Sequence, residues 1–267
     1  MKQMKGFFTL AVTALAIASC NKNDNVYGDN SHNPPGQSLV IKATGDSAAV
    51  AGAVNQFRAI LGDPLNTTPG QTTGRREVNW DGVPPQFTNN NNFPLNFFNI
   101  TDPLGANGRK RGLIYVDNGS PIRIDSSDFV DLDRSYDNQF NAFSKKKSFI
   151  SANSNVTEIT FRVAGTDTIA SVSGFGLIFS DVDDANSTYV EFFNDNRSLG
   201  VFRAPNTSGS GSFTFLGVKF KNKDVTRIKI TAGNGVLGAG VKDVTDGGSK
   251  DLVTMDDFFY DEPKAVN

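Results

Sequence analysis

The chain has 267 residues, 26 of them basic and 28 acidic, a net charge of −2 with histidine neutral, one cysteine (Cys20) and one histidine (His32). A slightly acidic chain lacks the electrostatic footprint of a nucleic-acid binder, and a lone cysteine and a lone histidine exclude intrachain disulfides and the common His- or Cys-ligated zinc centres. With only four glutamates, Glu77, Glu158, Glu191 and Glu262, an enzyme on this chain would rest on carboxylates, lysine, tyrosine or an oxygen-bound metal.

At the N-terminus, Lys2 and Lys5 precede an apolar run from Gly6 to Ala18, the layout of a secretory signal. The run falls short of the ~20 residues that cross a bilayer. Ile17-Ala18-Ser19-Cys20 resembles the lipobox of bacterial lipoproteins. That resemblance implies cleavage before Cys20 and acylation of its thiol, with palmitate as one acyl group; an ordinary secreted protein with a cysteine near its cleavage site is the alternative. At about 0.8 kcal/mol per buried methylene, two or three acyl chains would hold the protein on a membrane. Loss of residues 1–19 leaves 248 residues, enough for one sizeable domain or two small ones, with 24 basic residues against 28 acidic. Acylated Cys20 would be no nucleophile, and His32 beside the anchor would leave a Ser-His triad without its base.

Residues 20–46 are rich in Asn, Asp, Gly, Ser and Pro, apart from Leu39-Val40-Ile41, and read as a flexible tether. Cys20-Asn21-Lys22-Asn23-Asp24 resembles the lysine-plus-acid signals that send some Bacteroidetes lipoproteins to the cell surface. The expected location is therefore the cell envelope, in the outer membrane, with the membrane itself as the first partner.

Val50, Val54, Phe57, Ile60 and Leu61 fall on one side of a helix over 47–61, which Gly62 ends. From Gly112 onward the apolar period becomes two. Ile159, Phe161 and Val163 mark one half-buried strand, Ile228 and Ile230 another, and Phe175–Phe179 is apolar on both faces as a central strand would be. In 212–220 the apolar residues change phase at Leu216-Gly217, which predicts a β-bulge there. Many short strands, 26 glycines and 22 phenylalanines fit an all-β fold: a jelly-roll-like antiparallel β-sandwich over 47–263 with one short N-terminal helix, followed by a tail at 264–267.

Four ordered motifs, Gly74-Arg75-Arg76-Glu77-Val78-Asn79-Trp80-Asp81-Gly82-Val83, Ser154–Phe161, Gly174-Phe175-Gly176 with Phe179-Ser180-Asp181-Val182-Asp183, and Met255–Tyr260 with Glu262-Pro263, together resemble a recurrent family of uncharacterised secreted bacterial β-sandwich domains. The resemblance implies a domain type and a location, not a reaction. The Asp-Asp-aromatic final strand is similar to that of galactose-binding-like jelly rolls, which include many carbohydrate-binding modules.

Asp181, Asp183 and Asp184 at a strand end, with Asp256 and Asp257 near the C-terminus, would supply a structural calcium site if the two groups converge, since calcium takes six to eight oxygens; otherwise they are turn formers. Asp131–Asp137 spaces oxygens like the start of a calcium loop but lacks the glycine and the terminal glutamate, with Ala142 in that glutamate's place. It reads as a helix-turn or polar loop. Asn79-Trp80-Asp81 is the candidate ligand site: an exposed indole would stack on a sugar, whereas a buried one would be core and Asp81-Gly82 a turn. Arg109-Lys110-Arg111 and Lys145-Lys146-Lys147 read as solvated surface that would meet anionic headgroups or lipopolysaccharide.

These readings converge on a lipid-anchored envelope protein that binds a glycan or surface polymer without catalysis. A carboxylate-dependent glycoside hydrolase with Glu191 as first candidate and a structural or adhesion component without a small ligand are the alternatives.

Overall fold

The structure, a computed structural model, describes residues 38–207, 209–221 and 225–266. The leader, Cys20 and His32 lie outside the described residues. In chain order the regular elements are β1 (Ser38–Gly45), α1 (Ser47–Leu61), β2 (Arg75–Val78), β3 (Leu113–Tyr115), β4 (Ile122–Asp125), β5 (Ser148–Ser151), β6 (Val156–Arg162), β7 (Ile169–Ser171), β8 (Gly174–Ser180), β9 (Tyr189–Asn194), β10 (Arg197–Arg203), β11 (Phe213–Phe220), β12 (Arg227–Thr231), β13 (Thr254–Asp261) and β14 (Lys264–Ala265). They form two antiparallel sheets of seven strands. One runs β1-β11-β8-β13-β5-β4 with β2 also on β13; the other runs β10-β9-β12-β6-β7-β14 with β3 also on β6.

The sheets face each other through alternating side chains. Phe161 of β6 meets Tyr260 of β13 with ring centroids 5.4 Å apart, and Phe192 of β9 meets Phe220 of β11 at the same separation. This is the expected sandwich, with phenylalanines filling the interlayer space. Among the described residues no helix is long and apolar enough to cross a membrane.

The helix adds a third layer. Asp46 caps it by accepting from the Ala49 amide at 2.8 Å, and Gly62 closes it at φ 110°. Val50, Val54, Phe57 and Leu61 pack onto the outer face of the first sheet against Phe215, Ile178 and Phe259. Every residue of β8 is buried as a result: Phe175, Leu177 and Phe179 point into the sandwich while Ile178 points to the helix. Gly176 and Gly217 form the floor beneath Phe57, where an added Cβ would lie 2.8 and 2.7 Å from the ring.

That floor corrects one sequence expectation. The register of β11 against both β1 and β8 runs without interruption through Leu216 and Gly217. The apparent phase change reflects two apolar faces, with Phe213 and Phe215 under the helix and Leu216, Val218 and Phe220 inside the sandwich. The bulges lie instead at Asp256/Phe258 in β13 and Ser198/Gly200 in β10. Gly217→Ala should cost about 1–3 kcal/mol by overpacking, and Phe57→Leu should recover part of it, as measured by urea unfolding.

Two boundaries also move. Ser38–Gly45, inside the segment read as tether, is strand β1, paired along its whole length with β11. Leu39-Val40-Ile41 supplies the reason, because Val40 and Ile41 are buried on opposite faces. At the other end, Lys264–Ala265 is not a free tail but pairs with β7.

Candidate functional site

Trp80 is fully buried. Its indole stacks on Phe149 at 4.3 Å and meets Phe258 and Phe98 edge-on at 5.1 and 6.0 Å. Of the two readings of this position the buried one holds: Trp80 is core, and as a ligand-stacking residue it is set aside. The reason is local: β2 carries Val78 inward, and the Val83 amide donates to the Trp80 carbonyl at 2.9 Å, a tight turn that folds the indole under the sheet edge. Asp81 serves this turn by accepting from the Lys146 amide at 3.0 Å. Only Asn79 of the three residues is exposed.

Asn79 opens onto a cleft of about 380 Å³ whose walls include Val83, Pro84, Phe97, Arg109 and Arg111. The cleft is large enough for a small ligand and combines apolar walls with a few polar groups. The Arg109 guanidinium lies 4.4 Å over the Phe97 ring, and its Nε donates to the Phe97 carbonyl at 3.3 Å. Arg111 donates from Nη1 to the Asn66 carbonyl at 3.1 Å. Neither arginine has a carboxylate partner among the described residues, whereas Glu77 accepts from both Arg58 and Arg75. The basic run 109–111 is therefore not solvated surface: Lys110 is buried, with its ammonium donating to the Pro103 carbonyl at 3.0 Å. In the second run, Lys145 and Lys146 are exposed, and Lys147 reaches the Val83 carbonyl at 2.6 Å.

A second polar centre lies where β8 ends. Asp181 takes a left-handed φ of 69°, and its carboxylate, that of Asp183 and that of Asp243 bring oxygens within 4.8 Å of one another. Gln139 donates from Nε2 to Asp181 Oδ2 at 3.0 Å. Asp251 braces the same turn by accepting from the Asp183 and Asp184 amides, both at 3.2 Å, and from the Ser187 hydroxyl. Asp243 is held by the Leu252 amide at 2.8 Å and the Thr245 amide and hydroxyl. No lysine or arginine pairs with these four aspartates among the described residues. Burial, followed by the neighbouring negative charges, pushes the Asp181 carboxyl up to about 8. Burial and the neighbouring Asp243 and Asp251 carboxylates push Asp183 up to about 7.

No protein-family model, curated protein or solved structure matches the chain. The site is therefore read from its own chemistry.

The structure brings Asp181 and Asp183 together with Asp243, and does not bring Asp184, Asp256 or Asp257 into that group. β13 does lie beside β8, yet Asp256 sits opposite Ile178 on the helix side, where its Oδ2 accepts from the Phe143 and Ser144 amides at 2.7 and 3.1 Å. Asp257, the residue extruded by the β13 bulge, accepts from the Ser144 hydroxyl at 2.6 Å. Burial raises Asp256 to about 6, and burial with the adjacent Asp256 charge raises Asp257 to about 8. These two anchor the 143–147 segment and are not part of the cluster at Asp181. Asp184 is exposed and turns its amide, not its carboxylate, toward the centre. Gln139 and Asp243 were not anticipated, because each arrives on a loop from a distant part of the chain and no spacing rule links them to Asp181.

The remaining candidates settle simply. Asp131–Asp137 folds as a polar loop with a short 3-10 turn at Arg134–Tyr136, capped by Asp133 through the Ser135 amide at 2.8 Å. Asp131 is engaged by Arg123. Glu191 lies on the outer face of the second sheet, across from Lys229, which in turn faces Glu158. Ser198 donates to Glu191 at 2.8 Å, and Glu158 is paired with Arg227 at 2.7 Å. This is a surface ladder of alternating charge.

Proposed function

We propose that the protein is a lipid-anchored envelope component, held in the outer membrane through acylated Cys20, whose sandwich binds a glycan or surface polymer without catalysis. The observation that carries this reading is the cleft beside Asn79, lined by Arg109 over the Phe97 ring and by Arg111, neither of them in a salt bridge among the described residues. The one carboxylate that also lines the cleft, Glu77, is held by Arg58 and Arg75, so two guanidinium groups remain to meet carboxylate or phosphate oxygens bidentately, and an acidic glycan is favoured over a neutral one. The export signal and the lipobox-like Ile17–Cys20 support the location.

Binding is tested with the full chain on a glycan array that includes uronate- and phosphate-bearing polymers. Selective retention of acidic glycans, with affinity reduced about tenfold or more in Arg109→Ala, consistent with the loss of a charge-assisted contact, is the expected result. Absence of binding across the whole array removes the reading. Anchoring is tested independently by incorporation of a palmitate analogue, which Cys20→Ser should abolish.

A further inference from the structure

Three buried oxygens at the end of β8 accept no hydrogen bond: Asp181 Oδ1, Asp183 Oδ2 and Gln139 Oε1. Gln139 is only 3% exposed, and its amide is fixed at the cluster by its bond to Asp181. Buried acceptors without donors are rare in folded proteins. Here they occur at one strand end, beside Asp243, and no lysine or arginine pairs with the cluster among the described residues. A single water could donate only two hydrogens and would leave the mutual repulsion in place, whereas a divalent cation satisfies the oxygens and discharges the cluster at once.

We propose that Asp181, Asp183, Asp243 and Gln139 form a calcium site that ties the segment 234–252 to the end of β8. All four donors are hard oxygens, the preference of calcium and magnesium over transition metals. Calcium is the better fit because these donors come from three separate loops with no octahedral frame, and calcium tolerates irregular shells of six to eight oxygens completed by water or carbonyl groups. Asp183 is half-buried and Asp184 beside it is exposed, so solvent reaches the centre from that side. Asp251 holds the Asp183 turn through two amides and stands behind the ligands as a positioning residue.

The site would reinforce a junction that Asp251 already makes between the segment 234–252 and the end of β8. The segment 234–252 is fastened to the rest through Leu237 and Leu252, which pack with Phe129, Tyr136 and Phe140. The Tyr136 hydroxyl adds to this by accepting from the Gly238 amide at 3.1 Å and donating to the Val241 carbonyl at 2.9 Å. A cation at Asp243 would fix the segment at its second half.

The experiment uses the full chain, purified in detergent and stripped with EDTA, and follows melting and heat of binding as calcium chloride is added. One calcium per chain and a rise in Tm of about 5–10 °C at a hundredfold excess over Kd are expected. Asp183→Asn removes one charge from an oxygen that accepts no hydrogen bond, so it should melt in EDTA at or above the wild-type temperature while losing most of the response to calcium. A cluster held together only by its own hydrogen bonds would show neither effect. The proposal is overturned if millimolar calcium gives no heat and no shift, if Asp183→Asn responds like the wild type, or if magnesium acts equally.

Discussion

Replacing Trp80 with alanine is expected to reduce the unfolding free energy by about 3–5 kcal/mol, the range for deleting a large buried aromatic. The indole has no exposed surface, and three rings close on it from β5, β13 and the 97–98 turn. Residues this tightly enclosed cannot collapse into the space left behind, because each of the three rings is also packed elsewhere: Phe149 and Phe258 meet each other at 5.4 Å, and Phe98 meets Phe97 at 5.1 Å. Loss should therefore fall at the upper end of the range. Urea unfolding followed by circular dichroism measures it, since the only tryptophan fluorophore is lost in the variant. A cost below about 1 kcal/mol would contradict the enclosed position.

A comparable loss, about 3–5 kcal/mol, is expected for Glu262→Gln. Arg76 is fully buried, and its guanidinium donates to Glu262 at 2.8 Å, to the Thr68 carbonyl at 2.9 Å and to the Lys110 carbonyl at 3.2 Å. Asn66 donates to the other carboxylate oxygen at 2.7 Å. Glutamine keeps the shape but withdraws the charge, leaving a cation in a dry site. The cost is that of the stranded arginine rather than the worth of the pair, so the double substitution Arg76→Met with Glu262→Met should recover much of the loss. Glu77, on the neighbouring residue of β2, provides the contrast: it and its partners Arg58 and Arg75 all keep some contact with solvent, and Glu77→Gln should cost clearly less than Glu262→Gln. Equal losses at Glu77 and Glu262 would show that burial does not govern these pairs.

The periodic elements were legible in the sequence because one face of each was polar. Val50, Val54, Phe57 and Leu61 specify α1 to the residue, and the alternation around Ile159 and Ile228 specifies β6 and β12. Where an element is covered on both sides, alternation disappears and register cannot be read. That is why β11 looked bulged and why the true bulge at Asp256–Phe258, in a strand with every residue buried, gave no signal. β1 was hidden by its polar neighbours, although Val40 and Ile41 were visible. The motifs around Arg76 and Glu262 stood out as separate words, and only the pairing of β2 with β13 shows them to be the two halves of one ion pair. Of the acidic centre, the half contributed by one strand end was legible, and the half contributed by distant loops was not.

β1 covers the outer flank of β11 and, among the described residues, is paired with no other strand. A chain trimmed to begin at the helix, the boundary that sequence patterning alone suggests, would leave those backbone amides and carbonyls of Phe213–Phe220 that face β1 without partners beside a run of phenylalanines, the opposite side remaining paired with β8. Such an open strand is a template for intermolecular pairing. The short segment that looks most dispensable is thus the guard against self-association, and any shortened version of this protein has to retain it to remain monodisperse.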